Sequence, residues 1–310
     1  MPVLEVEDLA VSFRQYSTGL RQTELKVIHG LHLSIEPGEI TAVFGASGSG
    51  KSLLAHAVLG ILPGNATVTG EIRFDGVPLT RERQETLRGR EIALVPQSVN
   101  YLDPLMRVGK QVEASVCGAS RSFRLNSVLE VFKRYKLGPD TAGKFPFQLS
   151  GGMARRVLVS TATLSGARLI IADEPTPGLD AEALAEALRL FKQLAQEGCA
   201  VMLISHDIEA ALQIADKVAV FYAGTTVEVA AAGDFSGDGS RLRHPYTRAL
   251  WNALPQNKFA PIPGVQPHPN AMPPGCLFAP RCSLATGECA AARPAVREIR
   301  GGKVSCLHVT

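Results

Sequence analysis

The sequence predicts an α/β fold built on a sheet covered on both faces, and three observations carry that prediction. A short apolar run, Ile40 to Phe44, feeds Gly45-Ala46-Ser47-Gly48-Ser49-Gly50-Lys51-Ser52, which fits the phosphate-binding pattern GxxxxGK[ST]. Four later runs of mostly branched aliphatics, Ile92 to Val95, Leu169 to Ala172, Val201 to Ile204 and Val218 to Phe221, have the length and composition of strands buried on both sides. Between them Ala181 to Gln196, rich in Ala, Leu and Glu, reads as a helix ending at Gly198.

The remaining elements follow in chain order. Leu9, Val11 and Phe13 alternate, as do Leu31, Leu33 and Ile35, which is the period of half-buried strands. Pro37-Gly38 turns the second of these into the apolar run before the glycine loop. Lys51 to Leu62 is compatible with a helix that Pro63 stops, and 97–148, which lacks strand-like runs, is expected to be mostly helical.

Composition narrows the function classes. The 310 residues exceed a usual single domain, and a hydrophobic content of 45% is ample for a core. A net charge of +3 gives no argument for nucleic acid or for an anionic membrane surface. No apolar run approaches the roughly 20 residues needed to cross a bilayer. The first residues, Met1-Pro2-Val3-Leu4-Glu5-Val6-Glu7-Asp8, lack the basic start and apolar stretch of a signal peptide. A soluble, cytosolic chain is expected, with any membrane role supplied by partners. Of the 6 cysteines, Cys276, Cys282, Cys289 and Cys306 fall in the last stretch, and half of the 20 prolines lie from Pro245 onward. This change of composition sets a domain boundary near residue 240, dividing 1–240 from 241–310.

The glycine loop carries the first chemistry. Its backbone N–H groups can turn inward on the phosphates of a nucleoside triphosphate, with the positive end of the next helix behind them. Lys51 adds a point charge, and the Ser52 hydroxyl is suited to Mg²⁺. The matching half is Leu169-Ile170-Ile171-Ala172-Asp173-Glu174, an apolar strand ending in acids. Asp173 suits a carboxylate that holds Mg²⁺, and Glu174 can polarise an attacking water as general base. A chance glycine turn and a solvated acidic turn are the plain alternatives. Finding both strings in one chain, each beside an apolar run, weighs against them.

Taken with Leu149-Ser150-Gly151-Gly152, these strings resemble the ATP-binding cassette (ABC) ATPases. The resemblance implies a P-loop NTPase core with an antiparallel β subdomain, an inserted helical subdomain at about 97–150, and a Cys/Pro-rich C-terminal extension. It implies ATP and Mg²⁺ as ligands and a pair of subunits that complete each other's sites. Gln97 resembles the glutamine that senses Mg²⁺ and the attached membrane domain. Ser150, Gly151 and Gly152 resemble the signature that faces the γ-phosphate on the opposing subunit. Gly178-Leu179-Asp180 resembles the loop joining the two sites, and His206 resembles the histidine that contacts the γ-phosphate. Met153 departs from the glutamine usual after the signature, at a position with little phosphate contact. The adenine-stacking aromatic is expected at Phe13, with Tyr16 as the alternative.

A narrower resemblance is to ATPases of dipeptide, oligopeptide and nickel importers. Asn100-Tyr101-Leu102-Asp103-Pro104 with Val108-Gly109-Lys110-Gln111 carries it, as do His244-Pro245-Tyr246-Thr247-Arg248-Ala249-Leu250 and Gly275-Cys276-Leu277-Phe278-Ala279-Pro280-Arg281-Cys282. It implies two transmembrane permeases as partners, a second ATPase (a sister protein or an identical copy) and, indirectly, an extracytoplasmic substrate-binding protein. The expected location is the cytoplasmic face of the membrane. The four clustered cysteines leave three readings open: a four-iron four-sulfur cluster, zinc, or no metal. Zinc favours close CxxC pairs, absent here, which leans the reading toward the cluster. His308 is expected to stand outside the ligand set. The alternative function is a soluble ABC ATPase of DNA repair or chromosome organisation, but the chain has neither the long coiled coils nor the tandem cassettes of those proteins.

Overall fold

The computed structural model describes residues 1–16, 21–116, 121–176 and 181–309. It divides into two compact units that are discontinuous in sequence. One is built mainly from Thr80–Ile214 with Ile35–Ile40, and the other from Pro2–Ser34, Thr41–Leu79 and Ala215–Thr310.

The first unit holds three parallel strands, Ile92–Val95, Leu169–Asp173 and Ala200–Ile204, paired in register from Ile92↔Leu169 and Leu169↔Ala200. Almost every residue of the three is buried, as their unbroken aliphatic runs require. The helix Ala181–Gln196 buries Ala187, Leu188, Leu190, Phe191, Leu194 and Ala195 along one stripe, and Gly198 (φ 97°) leads into the next strand. Segment 97–148 mixes α and 3₁₀ turns with two helices, Val108–Glu113 and Arg121–Arg134. The helix Gly151–Leu164 follows, joined to that segment by the hydroxyls of Tyr135 and Thr163 at 2.5 Å.

The second unit is a mixed sheet in the order Val77–Pro78, Ala66–Phe74, Leu4–Tyr16, Gln22–Ile35, Thr225–Ala231, Lys217–Tyr222, Ile40–Gly45. The antiparallel pair that opens it runs from Leu4↔Phe74 to Phe13↔Ala66, with a bulge between Glu7 and Ala10. There Asp8 takes φ 46°, and a Cβ on Gly70 would come within 2.3 Å of its carbonyl, so only glycine fits opposite the bulge. The glycine-loop strand pairs in parallel with Lys217–Tyr222, from Thr41↔Lys217 to Gly45↔Phe221. The C-terminal residues add to this sheet. The hairpin Arg297–Ile299/Gly302–Val304 pairs with Thr225–Ala231 at Glu228↔Val304, and Val304, Cys306 and Val309 form a small core with Ile299.

Two elements differ from the sequence reading. The helix after the glycine loop ends at Leu59 rather than Leu62, because Gly60 takes φ 65° and closes it before Pro63 is reached. The strand Ala66–Phe74 shows no clean alternation, since most of it is exposed or half-buried, and its place comes from pairing with Leu4–Tyr16.

Candidate functional site

In the second unit the strand Ile40–Gly45 is wholly buried and delivers the glycine loop to the start of the helix Lys51–Leu59. At Gly45 a Cβ would lie 2.3 Å from the Phe221 carbonyl, which excludes any other residue. Gly48 (φ 76°) and Gly50 (φ 99°) take left-handed conformations that curl the backbone, while Ala46, Ser47 and Gly48 face solvent. Lys51 is 8% exposed, and its Nζ donates to the carbonyls of Gly45 at 2.8 Å and Ala46 at 3.2 Å. Its charge is thus held at the mouth of the loop. Ser52 is exposed in the first helical turn, where its hydroxyl oxygen can meet a phosphate-bound cation. Phe13, on the same unit, is half-buried near its strand end, whereas Tyr16 is 66% exposed with its hydroxyl accepting from Gln22.

In the first unit three predicted residues meet. The same carboxylate oxygen of Glu174, Oε2, lies 3.2 Å from Gln97 Nε2 and 3.2 Å from His206 Nδ1. Each side chain leaves the C-terminal end of one of the three parallel strands, the edge at which open α/β sheets place their ligands. Glu174 is held with φ 45°, uncommon for a residue with a side chain, and its N–H donates to Ile204 at 2.9 Å. Asp173, one residue earlier, pairs with Ile204 in the ladder. His206 sits between Ser205 and Asp207, and the Asp207 carboxylate caps the short helix Ile208–Leu212.

Ser150 caps the helix Gly151–Leu164, its Oγ accepting from the Met153 N–H at 3.3 Å. A Cβ at Gly151 or Gly152 would meet nothing within 4 Å, so no crowding among the described residues demands glycine at either position. Sequence reading missed Arg155 on this helix. It is 6% exposed, donates to the Pro96 carbonyl at 3.0 Å next to Gln97, and its Nε has no partner among the described residues. Burial pushes its guanidinium pKa down. Asp180 lies outside the described residues, as do Gly178 and Leu179.

Cys276, Cys282, Cys289 and Cys306 line one small cavity together with His244, Phe278 and His308. Burial pushes the thiols of Cys276 and Cys282 up, against backbone hydrogen bonds that pull them down and with a further upward push from neighbouring cysteines. His308 lies closer than the sequence suggested, its Nε2 3.2 Å from the Cys289 sulfur. Among the described residues no three His, Cys, Asp or Glu side chains stand at metal-holding geometry. Convergence of four sulfurs on one cavity is nonetheless a donor set of the right chemistry for a thiolate-held group. No helix of the described residues is long and apolar enough to cross a membrane.

Comparison with known proteins places two matches along the chain. The family described as ABC transporter matches residues 28–177, and the family described as oligopeptide/dipeptide transporter, C-terminal region, matches 227–289. The dipeptide transport ATP-binding protein DppD of Escherichia coli is 34% identical over 325 aligned positions, covering 99% of this chain and 97% of that protein. A putative peptide import ATP-binding protein of Brucella melitensis is 32% identical, covering 98% and 94%. Among solved structures, the dimeric bacterial ABC transporter cassette MJ0796 matches with a TM-score of 0.64 at 26% identity, covering 74% of this chain and 98% of that one. The cbiO1 protein of Clostridium perfringens matches with a TM-score of 0.63 at 28% identity, covering 75% and 90%.

Proposed function

The chain belongs to the ABC transporter ATP-binding family, and from that premise we propose that it is the ATP-hydrolysing motor of an importer whose cargo is a peptide. It is an ATPase of that family. The reading of the cargo is supported by the relatives, which carry dipeptide and peptide import in their names and align with the chain from end to end, extension included. Nickel is the second cargo, resting on the sequence resemblance alone. The same alignment weighs against a soluble repair or chromosome ATPase.

The site residues take the following roles. Gly45 to Gly50 give the phosphates their backbone N–H groups, Lys51 gives them a cation, and Phe13 stacks on adenine. Ser52, Asp173 and Gln97 supply oxygen ligands to Mg²⁺, which neutralises phosphate charge when bound. Glu174 is the general base, and His206 holds its carboxylate and meets the γ-phosphate. Ser150, Gly151 and Gly152 serve the nucleotide of a second subunit, which suits the open space around both glycines. Asp180 joins the two sites. The observation that carries the hydrolytic reading is the Glu174 carboxylate oxygen shared by Gln97 and His206.

The partners are two permeases, a second ATPase and, through them, a substrate-binding protein, so the chain works as a peripheral subunit at the cytoplasmic face of the membrane. We take 1–240 as the motor and 241–310 as an extension with its own role. Its four cysteines are read as ligands of a four-iron four-sulfur cluster, with zinc as the alternative.

Proteoliposomes containing the permeases and both ATPase subunits test the reading. ATP sealed inside vesicles whose ATPase faces the lumen should drive uptake of labelled dipeptides when the binding protein is outside. ATP hydrolysis with no dependence on permeases, and no uptake of peptide or nickel, would overturn it.

A further inference from the structure

Arg155 is only 6% exposed, and among the described residues no carboxylate pairs with it. Its Nη1 donates to the Pro96 carbonyl at 3.0 Å, while its Nε has no hydrogen-bond partner among the described residues. Glu186 lines the same small cavity, but its two oxygens lie 3.7 Å from Lys136 and Arg156 instead. A guanidinium stays charged at any working pH, and burying one against a single neutral carbonyl is costly. An apolar side chain of similar length commonly holds a core as well or better. Fold stability therefore gives no reason for an arginine here.

The group it holds supplies one. Pro96 follows the strand Ile92–Val95 and has no N–H, so its carbonyl is the one polar atom by which that residue can be tied. The carbonyl oxygen shares a planar peptide unit with the Gln97 nitrogen. A bond to that oxygen fixes the plane from which Gln97 departs, just past the last strand pair, Val95↔Ala172. Gln97 itself is exposed, and its Nε2 donates to Glu174 Oε2 at 3.2 Å. Arg155 reaches across from the helix Gly151–Leu164, in which Val157, Leu158 and Val159 are also buried. The donor is thus anchored in a packed element, as a support for a functional side chain needs to be. All of these residues belong to one compact unit.

We propose that Arg155 is a positioning residue for ATP hydrolysis: its buried guanidinium fixes the peptide before Gln97, and so the angle at which the Gln97 amide meets the Glu174 carboxylate. It acts through Gln97 and lies in a different unit from the phosphate loop. Its loss slows the chemical step and leaves nucleotide binding in place. The proposal rests on the roles given above to Gln97 and Glu174.

The test measures ATP hydrolysis by proteoliposomes holding the permeases and both ATPase subunits, with ATP binding and thermal unfolding measured on the full chain. Arg155→Met removes the charge and the donor at similar length. Its kcat should fall roughly ten- to a hundredfold, the span of one hydrogen bond from a charged group. KM for ATP and the binding constant should stay within about threefold. The melting temperature should hold or rise, because an unpaired buried charge has gone. An unchanged kcat would overturn the proposal. So would a fall in kcat that tracks a lowered melting temperature, which is the result of a merely structural role. Arg155→Lys keeps a cation able to donate to the carbonyl and should recover part of the lost turnover, and no recovery would count against the bond. In a Gln97→Ala background Arg155→Met should cost about twofold or less, and equal falls in both backgrounds would refute action through Gln97. Gln97→Ala alone separates the two readings. If it leaves kcat intact, the role given to Gln97 fails, whereas a loss there beside an unaltered Arg155→Met overturns the proposal alone.

Discussion

Glu174 Oε2 and His206 Nδ1 lie 3.2 Å apart, joined across two neighbouring parallel strands whose ladder ends at Asp173↔Ile204. The contact fixes the carboxylate at the strand ends while the histidine side chain stays 59% exposed, so that its ring can still meet a ligand. On the proposed reading of Glu174 as base, this contact would link hydrolysis to what the histidine touches.

His206→Ala should therefore separate binding from hydrolysis. The glycine loop is untouched, so ATP affinity should change less than about threefold, while kcat falls at least about a hundredfold through loss of the base's partner and of the γ-phosphate contact. Steady-state hydrolysis and equilibrium binding on the same preparation check it.

Ser150 should act on the partner subunit's nucleotide. Ser150→Arg places a bulky cation at a helix start where a Cβ on Gly151 or Gly152 would meet nothing within 4 Å. Lys51→Ala removes the loop's cation. Each variant alone should be inactive, and an equal mixture should recover at most one working site per dimer. Hydrolysis that survives Ser150→Arg in every combination would remove the case for a shared site.

The buried carboxylate of Glu228 should be a stability anchor. It is fully buried and takes the Arg243 guanidinium at 3.3 Å, and Arg243 is itself 3% exposed and paired with Asp234 at 2.8 Å. Glu228→Ala leaves that cation less compensated and the Arg243 and His244 backbone N–H groups, which donate to it at 2.8 Å each, without their acceptor, and should cost about 3–5 kcal/mol. Urea denaturation with the slope held fixed measures this.

The cysteine cavity should report its occupant in composition. Anaerobically purified protein should be brown and contain about four irons per chain, the count for a cube held by four thiolates. Colourless protein with one zinc per chain would assign the site to zinc instead.

Much of the fold was legible because its signals are local. The aliphatic runs at Ile92 to Val95 and Leu169 to Ala172 became parallel strands, since burial on both faces demands that composition. The loop from Gly45 to Ser52 was readable because close approach and left-handed backbone need glycine at set positions. Glu174 was named from an apolar strand ending in acids, and Gln97 and His206 from resemblance, but nothing local foretold that one carboxylate oxygen would serve both partners. The strand Ala66–Phe74 was missed because its stability comes from its neighbour rather than its own pattern. Glu228 sits in an apolar strand and Arg155 on a helix. Each takes its meaning from residues far away in sequence, where composition and period are silent. The Cys/Pro-rich tail takes part of its order from pairing Val304 with Glu228 on a strand of the second unit's sheet, a partner its own composition does not name.

Glu174→Gln tests the central claim, that this chain is an ATP-hydrolysing motor with Glu174 as its base. The substitution is nearly isosteric, so the phosphate loop and the hydrogen bonds around the side chain are kept while basicity is lost. Binding of Mg²⁺-ATP should persist within about threefold, and multi-turnover hydrolysis should fall by at least about a hundredfold, the span of general-base catalysis. The ATP-bound variant should also elute as a dimer, because the bound state no longer resolves. Turnover close to that of the unsubstituted protein would contradict the account.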